Sequence, residues 1–159
     1  MSPFRIFVSS PVDGIKDFRD AVIETSAFAR RKGRFEFFFF EEHDNVRIPG
    51  KTICESIFVT SGLTFDALFV FFKDRIGNGT KEELDFFETT VIPANPRCDV
   101  WWSQIDCDCY PQDVGDFIAR LQAYNTGLPT AQGLPKNCTP ANLTNRLAAK
   151  LLDVSEPPL

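Results

Sequence analysis

The chain has 159 residues, 43% of them hydrophobic, and a formal net charge of -5. This length and composition fit one domain with a sizeable core and exclude a disordered tail. The negative charge argues against nucleic-acid backbones as partners, which need a basic face, but it leaves room for a small nucleotide. No apolar run approaches the roughly 20 residues that span a bilayer, so we expect no membrane association.

The cysteines and the N-terminus indicate the compartment. Five cysteines cannot all pair within the chain. The first ten residues lack the long apolar core and cleavage site of a signal peptide. We therefore predict a cytoplasmic protein with reduced thiols. Cys107 and Cys109, with Cys98 nearby, hint at zinc, but no second Cys/His pair stands at finger-like spacing, so we predict no metal.

Strand-like and helix-like segments alternate along the chain. A first strand over residues 4–8 is followed by a helix over 14–32, in which apolar side chains recur at spacings of three and four. A second strand covers residues 35–40. The further predicted elements are a short helix over 52–61, a strand over 66–72, a helix over 80–90, a strand over 98–102, a helix over 114–124 and a last helix over 140–152.

The third strand contains an unbroken apolar run from Phe69 to Phe72. Such runs are typical of central strands in a parallel sheet, which are covered on both faces. We therefore predict an α/β fold: a three-layer, mostly parallel sheet of four to five strands with helices on both faces, as in flavodoxin-like proteins. Ligands of such sheets bind beyond the C-terminal ends of the strands. Those ends correspond to residues 9–13, 40–44 and 73–83.

The composition changes after Tyr124. Residues 125–140 are rich in glycine and proline, which indicates a loop or linker. We therefore assign residues 1–125 to the α/β domain and residues 126–159 to a linker and C-terminal helix. The Glu156-Pro157-Pro158 ending indicates that the parent protein continues into a C-terminal fused domain.

Ser9 and Ser10 stand where the first strand meets the first helix. Short hydroxyl side chains there can bind a phosphate, and the field of the helix N-terminus favours the anion. Alternatively, Ser10 only caps the helix or turns the chain, and position alone slightly favours that interpretation.

Residues 77–83, Gly-Asn-Gly-Thr-Lys-Glu-Glu, form the most informative stretch. They follow a buried strand and open a helix, and their glycines allow a ligand to approach the backbone closely. We expect Glu83 to project from the first helical turn toward the strand ends, where a carboxylate could hold sugar hydroxyls. Thr80 and Glu83 also match a capping box, and local sequence does not decide between the two roles. Glu82 is expected to face solvent.

Two other features are weaker candidates. Residues 41–44 contain the single histidine, His43, at the end of the second strand, and we interpret them as a solvated loop rather than a metal site. Trp101 and Trp102 could form a partner surface, although one of them must face the core if they lie in a strand.

Three motifs together resemble a known family. Phe4 to Ser10, then Arg19, then Gly79-Thr80-x-x-Glu83-Leu84 resemble the TIR-like domains at the N-termini of prokaryotic defence and signalling proteins. The last element is also similar to that of nucleoside 2-deoxyribosyltransferases. The resemblance covers roughly residues 4–90 through short motifs.

The resemblance implies cleavage of the N-glycosidic bond of NAD or a related nucleotide. NAD is then the substrate, no cofactor is required, and activity accompanies assembly into a homo-oligomer. The implied catalytic residue is Glu83, and the nucleotide cleft is implied near Ser9, Ser10, Asp13, Gly79 and Thr80.

One position departs from the family pattern. Related domains carry an acidic residue just before the helix arginine, where this chain has Phe18, and Asp13 or Asp17 is the candidate substitute. Two other functions stay open: a non-catalytic self-association module, and a transferase that moves deoxyribose between bases. A Glu83 side chain in a cleft favours an enzyme, and one folded back onto Thr80 favours the module.

Overall fold

The computed structural model describes residues 3–11, 14–31, 34–39, 49–51, 55–56, 59, 62, 65–105, 109–124 and 139–155. Its four strands form one sheet in the order β2-β1-β3-β4, and all three neighbouring pairs are parallel. The predicted α/β fold with a parallel sheet is therefore confirmed. The strands are β1 (Phe4–Ser9), β2 (Phe35–Phe38), β3 (Ala67–Phe72) and β4 (Asp99–Gln104).

Five α-helices are assigned among the described residues. None of the described helices is long and apolar enough to cross a membrane. Most of the helix predicted over residues 52–61 and of the loop over 125–140 lies outside the described residues. The helices are α1 (Lys16–Arg30), α2 (Asn78–Phe86), which continues as a π-helical turn (Phe87–Val91) into α3 (Ile92–Ala94), α4 (Gln112–Leu121) and α5 (Pro140–Ser155).

Two hydrophobic cores lie on opposite faces of the sheet. Side chains alternate along a strand, so Ile6 of β1 packs with the buried residues of α1 and α5. Phe7, its neighbour, packs with those of α2 and α4 on the other face. Helices therefore cover both faces, and the molecule has the three layers that the alternating sequence pattern predicted.

β3 is a central strand, as its apolar run predicted. It lies between β1 and β4 in the sheet, and each residue from Ala67 to Phe72 is 0% exposed. A strand covered by helices on both faces has no solvated side, so it shows no polar alternation.

The C-terminal helix packs onto the sheet. Leu143, Leu147 and Leu151 of α5, the residues with the predicted spacing of four, are buried in the core shared with α1. Lys150 of the same helix lies over the ring of Trp101, with its ammonium 5.7 Å from the ring centroid. α5 thus contributes directly to the core of the α/β fold.

Trp101 and Trp102 do not form the partner surface that the sequence left open. Trp101 is 0% exposed and Trp102 is 4% exposed. Because they are adjacent in β4, they point into the two opposite cores, and both faces of this strand are covered. Neither indole is available to a partner protein.

Candidate functional site

The C-terminal edge of the sheet brings together four of the residues singled out by the sequence. Ser9 is the last residue of β1 and pairs with Val70 of the adjacent strand β3. Glu83 lies in α2, which follows β3, and Arg19 lies in α1, which follows β1. Ser9, Ser10, Arg19 and Glu83 are all buried.

The start of α2 rules out the capping box. The helix begins at Asn78, its N-cap is Gly77, and no side chain caps it. Thr80 is thus the third helical residue and not the cap, and Glu83 lies in the second turn rather than the first. Lys81 N–H donates to the carbonyl oxygen of Gly77 at 3.3 Å, which closes the first turn through the backbone.

Burial has the largest effect on the pKa of Glu83, which is only 8% exposed. Desolvation raises the pKa of this carboxyl to about 8, while the Ser9 hydroxyl and the Arg19 guanidinium lower it and Glu82 raises it further. At neutral pH the carboxyl is therefore protonated when no ligand is bound. Its Oε2 is buried and has no hydrogen-bond partner among the described residues.

The hydroxyl of Ser9 is a hydrogen-bonding neighbour of the Glu83 carboxyl and lowers its pKa. Ser9 Oγ and Glu83 Oε2 nevertheless make no hydrogen bond of ordinary geometry with any of the described residues. Buried polar groups without a hydrogen-bond partner are uncommon in folded proteins, although this structure has others outside the site, such as Ser103 Oγ.

Arg19 connects the two sides of the site. Its Nη1 donates to Oγ of Ser10 and, at 3.4 Å, to the carbonyl oxygen of Ser10. Burial lowers the pKa of Arg19, and the nearby carboxyl of Glu83 opposes this effect. The guanidinium thus holds the turn after β1 and places positive charge near Glu83.

The sequence contained a signal for the position of Arg19, although only the family resemblance had singled it out. Arg19 lies four residues after Ile15, the N-cap of α1, and three before Val22, and both of these side chains are buried in the core. An arginine within an apolar stripe must find polar partners inside the protein, because burying an unpaired charge is costly.

The other predicted site residues are placed as follows. Thr80 is buried and Gly79 is exposed at the start of α2. Glu82 is exposed, as predicted. Asp13 lies outside the described residues, as do residues 41–44 with His43. Asp17, one candidate for the missing acidic position, is exposed on α1.

Two of the cysteines, Cys98 and Cys109, lie among the described residues. Within them, no three His, Cys, Asp or Glu side chains form a group that could hold a metal ion. Cys98 is buried, which raises the pKa of its thiol to about 12, and Cys109 is exposed. Cys107 is outside the described ranges.

No protein-family model matches this chain, and no curated protein or solved structure matches it. The functional interpretation therefore depends on the geometry of the site and on the resemblance of short motifs to those of TIR-like domains.

Proposed function

We propose that the protein is a nucleotide N-glycosidase that cleaves NAD(P)-type nucleotides and releases nicotinamide. The observation that carries this proposal is the buried Glu83 carboxyl, whose Oε2 is unpartnered, at the C-terminal edge of a parallel sheet. Ligands of open parallel sheets bind at this edge. A buried titratable group with a strongly shifted pKa in such a place is a candidate for catalysis.

Glu83 would act by stabilising positive charge. Breaking the glycosidic bond leaves an oxocarbenium-like ribose, which a carboxylate in a desolvated site stabilises more than it stabilises the ground state. The nicotinamide of NAD is already cationic, so it leaves as a neutral base without a general acid. Water then adds to the sugar carbon and loses a proton, which gives the ADP-ribose product, nicotinamide and H⁺.

The raised pKa of Glu83 fits a cationic substrate. The ligand-free carboxyl is neutral at pH 7 because burial raises its pKa to about 8. The positive charge of the nicotinamide ribose favours the ionised form, so binding of the substrate promotes loss of the proton. Arg19 favours the same form.

The remaining substrate would extend along the same edge. Gly79 is exposed in the first turn of α2, where backbone N–H groups and the helix field favour a phosphate. Thr80 follows in the same turn, and Ser10 lies beyond the end of β1. These residues are the proposed contacts of the pyrophosphate half, and Asp13 stays a proposed contact elsewhere in the nucleotide cleft.

Two observations favour an enzyme over the non-catalytic module. Glu83 does not take part in a capping box with Thr80. The tryptophan pair, which together with the last helix was a candidate assembly surface, is buried in the two cores. The family resemblance still supports self-association as a means of activation, in a cytoplasmic effector of defence or stress signalling.

The test is release of nicotinamide from NAD by concentrated protein, free and artificially clustered. We expect Glu83→Gln to reduce turnover by about 10²–10³, because it removes one preorganised charge from the transition state. Glu82→Gln, a matched change on the exposed neighbouring residue, should retain most of the activity. Equal turnover by the wild type and Glu83→Gln, or no release even when clustered, would contradict the proposal.

A further inference from the structure

A cavity opens between α1, α5 and the start of β2, and we call it the α1–α5 cavity. Its volume is about 600 Å³, which lies within the range of roughly 300–1,000 Å³ that is usual for small-molecule sites. Phe35, which lines it, is the first residue of β2 and pairs with Phe4, the first residue of β1. The cavity therefore lies toward the N-terminal edge of the sheet, whereas Ser9 ends β1 at the other edge.

The wall of the cavity is mostly apolar. The apolar residues that line it are Phe28, Ala29, Phe35, Ala148, Leu151 and Leu152. Two of them are unusually open to solvent for large hydrophobic side chains, since Phe28 is 60% exposed and Leu152 is 64% exposed. Exposed apolar side chains that gather around a cavity are typical of binding sites, because a ligand removes them from water. The occupant must therefore offer an apolar surface of its own.

Arg34 gives the cavity a positive charge. It lies just before β2, and its carbonyl oxygen accepts a hydrogen bond from the N–H of Phe4 at 2.8 Å, which fixes its backbone beside the cavity. No acidic residue is among the described residues that line the cavity. A guanidinium matches the geometry of a carboxylate and can bind it through two parallel hydrogen bonds. The cavity therefore suits an anion that carries an apolar chain.

The size of the cavity favours a small amphiphile over a protein partner. Eight described residues line it. A stable protein interface uses about 20–30 residues on each side. One alkyl chain with one charged head group would contact both the apolar wall and Arg34 without requiring a larger surface.

We propose that the α1–α5 cavity binds a fatty-acid carboxylate, with the alkyl chain along the apolar wall and the carboxylate on Arg34. The chain covers Phe28 and Leu152, which are the most exposed apolar side chains of the wall. This site is independent of the proposed glycosidase function, so failure of either proposal leaves the other standing.

The probes are dodecanoate and dodecanol, which share an alkyl chain and differ in the head group. Calorimetry should show saturable binding of one dodecanoate per chain, below its micelle-forming concentration, and weaker binding of dodecanol. Arg34→Gln should weaken dodecanoate binding by about fivefold, the upper range for an ion pair that stays exposed to solvent, and leave dodecanol binding unchanged. Arg31→Gln, at the exposed C-cap of α1 and outside the lining, is the matched control and should bind both probes like the wild type.

Filling the cavity gives a second test. Ala148 lines the cavity from an exposed position in α5, so Ala148→Phe adds a ring there without disturbing the core. This variant should lose measurable binding of both probes. Ala149→Phe, the same change at the adjacent exposed alanine, which is not among the lining residues, should bind them like the wild type.

Three results would overturn the proposal: no saturable binding of dodecanoate, equal loss in Ala148→Phe and Ala149→Phe, or an equal effect of Arg34→Gln on both probes. Sedimentation velocity covers the alternative of a protein occupant. A wild-type protein that sediments as a dimer, with Ala148→Phe as a monomer, would identify the cavity as an interface between copies of the chain and would also overturn the proposal.

Discussion

Arg19 of α1 donates a hydrogen bond from Nη1 to Oγ of Ser10, the residue that follows β1. Both side chains are buried, so this bond ties the first helix to the end of the first strand in a desolvated environment. Hydrogen bonds from a charged donor are stronger than neutral ones. The same guanidinium lies near Glu83 and opposes the effect of burial on the pKa of that carboxyl.

Replacing Arg19 should therefore change the titration of Glu83. In Arg19→Gln the positive charge is lost, so the pKa of Glu83 should rise above about 8 and the pH profile of kcat/KM should move to more alkaline pH. Arg31→Gln, at an exposed arginine just after α1, is the matched control and should leave the profile in place. An unmoved profile in a folded Arg19→Gln protein would refute this electrostatic role.

On the proposed mechanism, the wild-type protein should be most active above neutral pH. The mechanism requires ionised Glu83, and kcat/KM reports the pKa values of groups in the free enzyme. With a pKa of about 8 for Glu83, we expect kcat/KM to rise about tenfold per pH unit below pH 8 and to level off above it. The groups that face this carboxyl are Ser9, Arg19 and Glu82. Initial rates of nicotinamide release from pH 5.5 to 9 would test this prediction, and a flat profile would argue against Glu83 as the catalytic carboxylate.

The same pKa predicts how stability depends on pH. In the unfolded chain Glu83 has the ordinary value of 4.5, whereas burial raises it to about 8 in the fold. Between these two values the unfolded chain releases the proton and the folded protein keeps it. The free energy of unfolding should therefore fall as pH rises from about 4.5 to about 8, by at most about 1.4 kcal/mol per pH unit from this group.

Glu83→Gln removes this dependence because glutamine does not titrate. The variant should become progressively more stable than the wild type between pH 5 and pH 8, with no further gain at higher pH. Urea unfolding at several pH values measures the difference. The exposed Glu82→Gln change should keep the shape of the wild-type curve and shift it slightly to lower pH, because Glu82 raises the pKa of Glu83. A constant difference across this range would show that Glu83 does not titrate as described.

The packing of α5 gives a prediction that does not involve the site. Leu147 is 0% exposed in the core shared with α1, whereas Leu152 in the same helix is 64% exposed. Leu147→Ala should lower the free energy of unfolding by about 2–5 kcal/mol, through lost burial and a residual cavity. Leu152→Ala should cost much less. Equal effects in chemical denaturation would mean that α5 does not dock as described.

The fold could be predicted from the sequence because its main signals are local. The run Phe69 to Phe72 indicated a strand covered on both faces, and it lies in the central strand β3. The spacing of Leu143, Leu147 and Leu151 likewise predicted the buried face of α5. Such periodicities show which face of a helix or strand is buried. Each element must bury its own apolar face, so the signal can be read from its local sequence.

The errors occurred where tertiary packing overrides local preference. Gly79 has poor helix propensity and Thr80 matches an N-cap, so the sequence predicted that α2 starts at Thr80. The helix starts at Asn78 instead, because intrinsic propensity is a weak preference that packing overrides. Trp101 and Trp102 were candidates for a surface because the local sequence does not show that both faces of β4 are covered. Part of the cover, on the side of Trp101, comes from α5, which is distant in the chain.

The sequence alone determined the parallel α/β architecture and singled out Ser9, Ser10, Arg19 and Glu83 as candidates. It could not determine which of these four residues contact one another. Only the tertiary structure placed Arg19 on Ser10 and the Ser9 hydroxyl opposite Glu83, since these residues come from three elements that meet at one edge of the sheet. The burial that raises the pKa of Glu83 also depends on that meeting, because desolvation of one side chain is set by neighbours far away in the chain.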